Sequence, residues 1–232
     1  MDKLRTVSQT KREFYTYYNR PINSVYRRIV EELMVEMHLL SVNVEFRYNP
    51  IYALGVLTSF QRFMDGYNPE QEKENILKAL FKALNIEPDS YKHDNSSVLS
   101  AINGKSVKDI LEQLENLEHS DDVVTNTLLD IKGQAKFKYS RLFAIGLYTI
   151  LTNLEPDLGK DAERRNQYLA KLTELLNLPK EKLLKDVDSY RANLEKMEQI
   201  LLVIEDSIEA ERKKREKKEQ EKLIAPTSSG DI

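Results

Sequence analysis

The sequence predicts an all-α fold: one multi-helix globular domain with two pseudo-equivalent central helices, followed by a long C-terminal helix. Three observations predict it. Apolar residues recur at spacings of three and four along most of the chain, as they do in amphipathic helices. Glycines and prolines, seven of each in 232 residues, fall mostly between these periodic segments, where helices begin and end. No long alternation of apolar and polar residues indicates a β-strand.

The composition excludes several classes of protein. The net charge is −3, so the chain lacks the overall basic character of a nucleic-acid-binding domain. It contains no cysteine, which excludes disulfides, thiolate zinc sites and cysteine nucleophiles and fits a reducing compartment. We expect no signal peptide, because residues 1–20 lack a continuous apolar core. We also expect no transmembrane segment, because the most apolar run, 142–151, is about half of the ~20 residues that span a bilayer.

The first two helices are predicted by their start signals. Thr6 and Gln9 resemble a capping box, which predicts a helix that continues to about Tyr18. Pro21 restarts the chain, and apolar residues at spacings of three and four then predict an amphipathic helix over residues 23–40.

Two stretches of the chain resemble each other at a distance of 91 residues. Residues 46–56 and 137–147 share one pattern: aromatic, basic, Tyr, Asn or Ser, any residue, Ile or Leu, aromatic, Ala, Leu or Ile, Gly, aliphatic. Asn49 and Ser140 are suited to cap the helix that follows, because their side-chain oxygens accept free backbone N–H groups. The similarity predicts two helices related by an internal pseudo-symmetry, and the alternative is chance similarity between two buried helices.

A glycine stands at the same place in both predicted helices, over residues 52–63 and 142–154. Glycine within a helix costs about 1 kcal/mol relative to alanine, so Gly55 and Gly146 indicate that another backbone approaches closely. We therefore place these two helices at the centre of the domain.

The rest of the globular domain is predicted from the same signals. Residues 85–105 are polar and rich in turn formers, and we expect at most a short helix over 97–102. Further helices are predicted over residues 69–84, 106–117, from 121 or 122 to 131, and 161–176.

The pattern changes after Pro179, where apolar residues alternate spacings of four and three, as in the a and d positions of a coiled coil. We predict a globular domain over 1–178, a long helix over 179–222 with a charged end at 211–222, and a disordered tail over 223–232. Two interpretations of the heptads remain open: they pack on the globular domain, or they bind a partner helix. The predicted partner-binding residues are Leu183, Val187, Tyr190, Leu194, Met197, Leu201, Ile204 and Ile208.

No catalytic or metal site is predicted. The three histidines are His38, His93 and His119. Glu36 and His38 are two residues apart, whereas di-iron bundles require Glu-x-x-His twice, so a buried or surface histidine is the favoured interpretation. Phosphate-binding loops and nucleophile elbows are also missing, and we expect neither a cofactor nor enzymatic activity.

A basic and aromatic segment near the N-terminus is the other candidate surface. Its basic residues fit anionic lipid headgroups or an acidic partner. The alternative is a solvated basic face whose aromatic residues pack inward. The basic residues are Lys11, Arg12, Arg20, Arg27 and Arg28.

Several motifs resemble the thylakoid-formation protein family, also described as photosystem II biogenesis proteins. The resemblance covers roughly residues 6–210 and is most specific in the first 70. It rests on Arg20-Pro21-Ile22-Asn23, Tyr26-Arg27-Arg28, Glu31-Glu32-Leu33, Glu36-Met37-His38-Leu39-Leu40, Tyr48-Asn49-Pro50-Ile51-Tyr52-Ala53-Leu54-Gly55, Phe63-Met64, Gly66-Tyr67 and Tyr139-Ser140-Arg141-Leu142-Phe143-Ala144-Ile145-Gly146-Leu147.

The resemblance implies a non-catalytic accessory factor for photosystem II biogenesis and repair. It implies that the thylakoid FtsH protease complex is the partner, and that the chain supports accumulation of this protease. The implied location is the cytoplasm and the surface of the thylakoid membrane in a cyanobacterium, because no plastid transit peptide precedes the first helix. The alternative function is a membrane-surface organiser that binds anionic thylakoid lipid through the basic face. The oligomeric state stays open.

Overall fold

The fold is helical throughout the described part of the chain, which in this computed structural model is residues 5–117 and 121–224. Side chains are described for the same residues except 205, 208 and 218–224. No strand occurs among the described residues, so the all-α prediction is confirmed. The helices are α1 (Val7–Tyr17), α2 (Ser24–Ser41), α3 (Pro50–Phe63), α4 (Glu72–Ala83), α5 (Pro88–Ala101), α6 (Val107–Asn116), α7 (Val123–Gly133), α8 (Arg141–Leu154), α9 (Ala162–Leu175) and α10 (Lys180–Ile224), with a 3₁₀ turn at Pro156–Gly159.

The predicted start signals act as helix caps. Thr6 and Gln9 form a full capping box at α1, and Ser106 forms another with Asp109 at α6. The Asn49 side chain accepts the N–H of Tyr52 at 2.9 Å at the start of α3. These local hydrogen bonds fix where helices begin, which explains why most predicted starts agree with the structure.

The two central helices meet at their glycines. A Cβ atom placed on Gly55 would lie 1.8 Å from the carbonyl oxygen of Leu142, and one on Gly146 would lie 2.0 Å from that of Ile51. Residues 51 and 142 are also 91 positions apart, so the two contacts are equivalent to each other in the repeat. Each helix buries nine residues, and α3 packs on α8 more extensively than any other described pair of helices. The prediction of two pseudo-equivalent central helices is therefore confirmed.

The internal repeat extends beyond the central helices. Asn85 after α4 and Asn177 after α9 both have positive φ, 56° and 52°, a conformation that asparagine tolerates better than most residues. The residue after each asparagine donates its N–H to the carbonyl five positions earlier, at 2.9 and 2.8 Å. The segment from α3 to α5 is thus repeated, with a shift of 91 to 92 residues, from α8 to the start of α10.

Two boundaries differ from the prediction. The segment expected to be turn-rich holds the 14-residue helix α5, which begins with Pro88 at a helix N-terminal position. Tyr91 and Val98 are its two buried side chains, seven residues apart, so too few apolar residues were present to show the helical period. The predicted start of α4 at Pro69 is also wrong, because Pro69 begins a turn closed by the N–H of Glu72 and the helix follows it.

The chain divides into two compact units, Met1–Arg191 and Ala192–Ile232. The first unit includes the first three turns of α10, because Leu183 and Val187 belong to the same buried core as Phe143 and Leu147 of α8. The second unit contains the remainder of α10, while the predicted tail beyond residue 224 lies outside the described residues.

Candidate functional site

The predicted heptad residues differ widely in exposure. Leu183, Val187 and Tyr190 are buried within the first unit, and Leu183 and Val187 belong to its core. In the second unit Met197 is buried, Leu194 and Leu201 are partly buried, and Ile204 is exposed. The side chain of Ile208 lies outside the described residues. The interpretation that the heptads pack on the domain therefore applies to the first three turns of α10.

The most exposed apolar residues of α10 are not on the heptad stripe. Leu202 and Val203 expose 62% and 65% of their surface, and Ile200 exposes 42%. The heptad pattern did not single them out, because it records only two positions in seven. The signal that was available is the run of five consecutive apolar residues over 200–204, which surrounds the helix.

Glutamates neutralise much of the predicted basic face. Lys11 donates to Glu31 at 2.8 Å, Arg28 pairs with Glu32 at 2.8 Å, and Arg20 pairs with Glu72. Arg12 and Arg27 are exposed. Three of the five predicted cations thus already have carboxylate partners, while Phe14 and Tyr18 pack inward as in the alternative interpretation.

The Glu31 carboxylate connects α1 to α2. Tyr15 donates its hydroxyl to Glu31 at 2.6 Å, beside the ammonium group of Lys11. Burial acts to raise the pKa of Glu31, but the hydrogen bonds from Lys11 and Tyr15 outweigh it and lower the pKa. Burial and the same carboxylate raise the pKa of Tyr15 to about 12. This network stabilises the ionised carboxylate and holds the two helices together.

An open groove of about 700 Å³ lies in the first unit between α2, the start of α8 and the first turns of α10. Val35 and Leu39, one helical turn apart on α2, contribute exposed apolar surface, 37% and 56% of each residue. Tyr139, Arg141 and Lys182 line the opposite side. The volume is within the usual range of ligand-binding pockets, and the groove is shallow enough for a protein segment.

Hydrogen bonds hold the far wall of the groove in place. Arg141 donates through Nε and Nη2 to one carboxylate oxygen of Glu36, at 3.1 and 2.6 Å. Tyr139 donates its hydroxyl to Asp186 at 2.7 Å, and burial together with this bond raises the pKa of Tyr139. The ammonium group of Lys182 lies 5.1 Å from the centre of the Tyr139 ring.

The structure gives His38 a packing role. It is buried on α2, and a 3.0 Å hydrogen bond joins its Nδ1 to the Thr10 hydroxyl of α1. Burial lowers the pKa of His38 from its ordinary value of 6.5. His93 is exposed on α5, and His119 lies outside the described residues. No cluster of three or more His, Cys, Asp or Glu side chains able to hold a metal occurs in residues 5–117 or 121–224.

Within the part of the chain that the structure describes, no helix combines the length and the apolar character that a bilayer-spanning helix needs.

Comparison with known proteins gives consistent matches over nearly the whole chain. The family described as Thylakoid formation protein matches residues 6–219. Protein Thf1 of Rippkaea orientalis is 51% identical over 232 residues, which cover 99% of this chain and 99% of the relative. Protein Thf1 of Gloeothece citriformis is 50% identical over 227 residues, which cover 97% of this chain and 99% of the relative.

A solved structure supports the same relationship. The structure of Psb29 is similar to this chain with a TM-score of 0.81 and 42% sequence identity. The match covers 91% of this chain and 98% of the Psb29 chain.

Proposed function

The chain belongs to the thylakoid formation protein family, and we propose that it is a non-catalytic accessory factor that binds the thylakoid FtsH protease. In this proposal the protein acts at the surface of the thylakoid membrane and supports photosystem II assembly and repair. The family match supports this role, and a similar structure bears the name Psb29.

The observation that carries the binding proposal is the heptad stripe of α10 beyond the first compact unit. Leu194 and Leu201 are only partly buried there, and Ile204 is exposed. A partly uncovered stripe at spacings of three and four is the surface by which an amphipathic helix binds another helix. We assign protease binding to this part of the stripe, because Leu183, Val187 and Tyr190 are already buried in the core.

Binding alone suffices to raise the amount of the protease. A factor that binds only the assembled complex stabilises it by about 2.7 kcal/mol when its free concentration is 100 times its dissociation constant. Slower loss of the assembled form then increases accumulation without any chemical step.

The test is retrieval of FtsH from solubilised thylakoids with the tagged full-length chain. We expect wild type to retrieve the protease and the double variant Leu201→Glu/Ile204→Glu to retrieve much less. Val44→Glu is the matched control, because Val44 is 86% exposed in the loop before α3. Failure of the wild-type chain to retrieve the protease would exclude direct binding.

A further inference from the structure

The part of α10 that belongs to the second unit separates its charges around the helix. Four carboxylate residues and one leucine follow one another at spacings of three and four, so they lie on one side of the helix. We call this side the acidic face; its residues are Glu195, Glu198, Leu202, Asp206 and Glu209.

Another side of the same helix carries basic and apolar residues and, by its sequence, no carboxylate. Its residues recur at alternating spacings of four and three and extend over about 32 Å of helix. We call this side the lysine face; its residues are Lys196, Ile200, Val203, Ser207, Ala210, Lys214 and Lys217. Val203 exposes 65% of its surface and Ile200 exposes 42%. An exposed apolar pair therefore lies between basic side chains at the two ends of the face.

The basic residues on the two sides of the helix differ in their partners. Lys213, which is not on the lysine face, pairs with Glu209 of the acidic face at 2.7 Å. Among the described side chains, no carboxylate forms an ion pair with any of the three lysines of the lysine face. The positive charge of the lysine face is therefore available to an anionic surface outside the protein.

The basic segment near the N-terminus is different in this respect. Its Lys11, Arg20 and Arg28 already pair with glutamates of the first unit. An anionic surface that bound there would have to compete with those carboxylates. At the lysine face no described ion pair has to be broken.

We propose that the lysine face docks on the surface of a bilayer that contains anionic lipid. Ile200 and Val203 enter the boundary between headgroups and acyl chains, and the lysines at both ends place their ammonium groups among the anionic headgroups. The acidic face is turned towards water. Each lysine near an anionic surface contributes about fivefold to the affinity, so binding is reversible and sensitive to salt.

A bilayer fits this face better than a partner helix does. Pairing of helices requires apolar residues at successive positions of a heptad stripe over several heptads. The lysine face has only Ile200 and Val203, and Ser207 and Ala210 occupy the next two positions. A helix that lies in the membrane interface needs an apolar anchor flanked by basic residues, which is what this face provides.

Lipid binding does not depend on the proposed function. Leu201 and Ile204, which we assign to protease binding, belong to the heptad stripe, and this stripe lies about a third of the way around the helix from the lysine face. Vesicles made of lipid alone contain no protease. Failure to bind vesicles would therefore leave the protease proposal intact, and failure to retrieve the protease would leave the lipid proposal intact.

The first experiment is cosedimentation of the full-length chain with vesicles of equal parts phosphatidylglycerol and phosphatidylcholine. We expect binding to these vesicles, none to phosphatidylcholine alone, and release when ~1 M salt shortens the Debye length to about 3 Å. Lys196→Glu/Lys214→Glu should lower the partition coefficient at least about twentyfold, because each lysine contributes about fivefold.

The matched control is Arg212→Glu/Lys213→Glu, which makes the same change of charge on the same helix. Arg212 and Lys213 already pair with Glu216 and Glu209, so this variant should lose less than about fivefold. Circular dichroism verifies that each variant keeps its helix content.

The second experiment tests which side of the helix meets the lipid. The chain contains no cysteine, so one introduced cysteine can carry a polarity-sensitive fluorophore at a chosen position. Val203→Cys and Leu202→Cys are a matched pair, because the two residues are adjacent and expose 65% and 62% of their surface. On anionic vesicles we expect the emission at position 203 to shift to the blue, while the emission at position 202 stays as in water.

Three results would overturn the proposal. The first is a wild-type chain that does not bind anionic vesicles at low salt. The second is a lysine variant that binds as well as wild type, or an equal fluorescence response at positions 202 and 203. The third is retention of the chain on immobilised polyglutamate without any binding to vesicles, which would assign the lysine face to an acidic protein.

Discussion

Replacing Gly55 by alanine tests the central crossing directly. The new Cβ would start 1.8 Å from the Leu142 carbonyl oxygen, and real Cβ contacts stay beyond 3.0 Å, so the backbones must separate by about 1.2 Å. Both helices are fixed by nine buried residues each. Overpacking of a core costs about 1–3 kcal/mol, and a clash between two backbones belongs at the upper end.

Alanine also stabilises a helix by about 1 kcal/mol relative to glycine, so the expected net loss for Gly55→Ala is about 2 kcal/mol. For a chain of this length each kcal/mol lowers Tm by about 2–4 °C, which predicts a fall of about 4–8 °C. Urea denaturation and differential scanning calorimetry measure the loss. Gly133→Ala is the matched control: nothing lies within 4 Å of its Cβ position at the end of α7, and we expect about 0.4–1 kcal/mol of stabilisation.

The double variant gives a stricter test. Gly146 makes the same contact one turn away, and a single separation of the helices accommodates both methyl groups. The loss for Gly55→Ala/Gly146→Ala should therefore be smaller than the sum of the two single losses, by about 0.5–3 kcal/mol. A Gly55→Ala protein as stable as the Gly133→Ala control would refute the reasoning, and additive losses would show that the two contacts are independent.

Two further predictions concern polar side chains that are buried or partly buried. Burial lowers the pKa of His38 in the folded state, so the contribution of the neutral histidine to stability is fully present above pH 6.5 and is lost as the pH falls through the lowered pKa. His38→Asn should therefore flatten the acid dependence of Tm, whereas His93→Asn, at an exposed histidine, should not. Tyr139→Phe leaves the Asp186 carboxylate without its donor and should lower stability by about 1–2 kcal/mol in urea denaturation, whereas Tyr48→Phe, at a more exposed tyrosine, should cost less.

Most of the helical architecture could be predicted from the sequence, because the signals that start and stop helices are local. Asn49 and Ser140 cap helices by bonding to N–H groups three residues away, so the sequence motif contains the whole interaction. Gly55 and Gly146 indicated a close backbone contact, because glycine within a helix is less stable than alanine and is favoured only where a side chain would not fit. The pairing of these two glycines with each other follows from their identical place in the repeat.

The surfaces were harder to predict, because their character depends on residues far apart in the chain. Arg20 was predicted to be part of a basic surface, yet Glu72, 52 residues away in the sequence, forms an ion pair with it. The groove is assembled from Leu39 and Lys182, which are separated by more than half of the chain. Helix α5 was missed because its buried side chains are too few, although Pro88 marked its start.

The glycine crossing also has a consequence for biosynthesis. Gly55 leaves the ribosome 91 residues before Gly146, and at about 5–20 residues per second this interval lasts about 5–20 s. During that time α3 has been translated, but the helix that covers its apolar surface does not yet exist. The part of α3 that packs on α8 in the folded protein therefore stays without its partner helix until translation has passed α8.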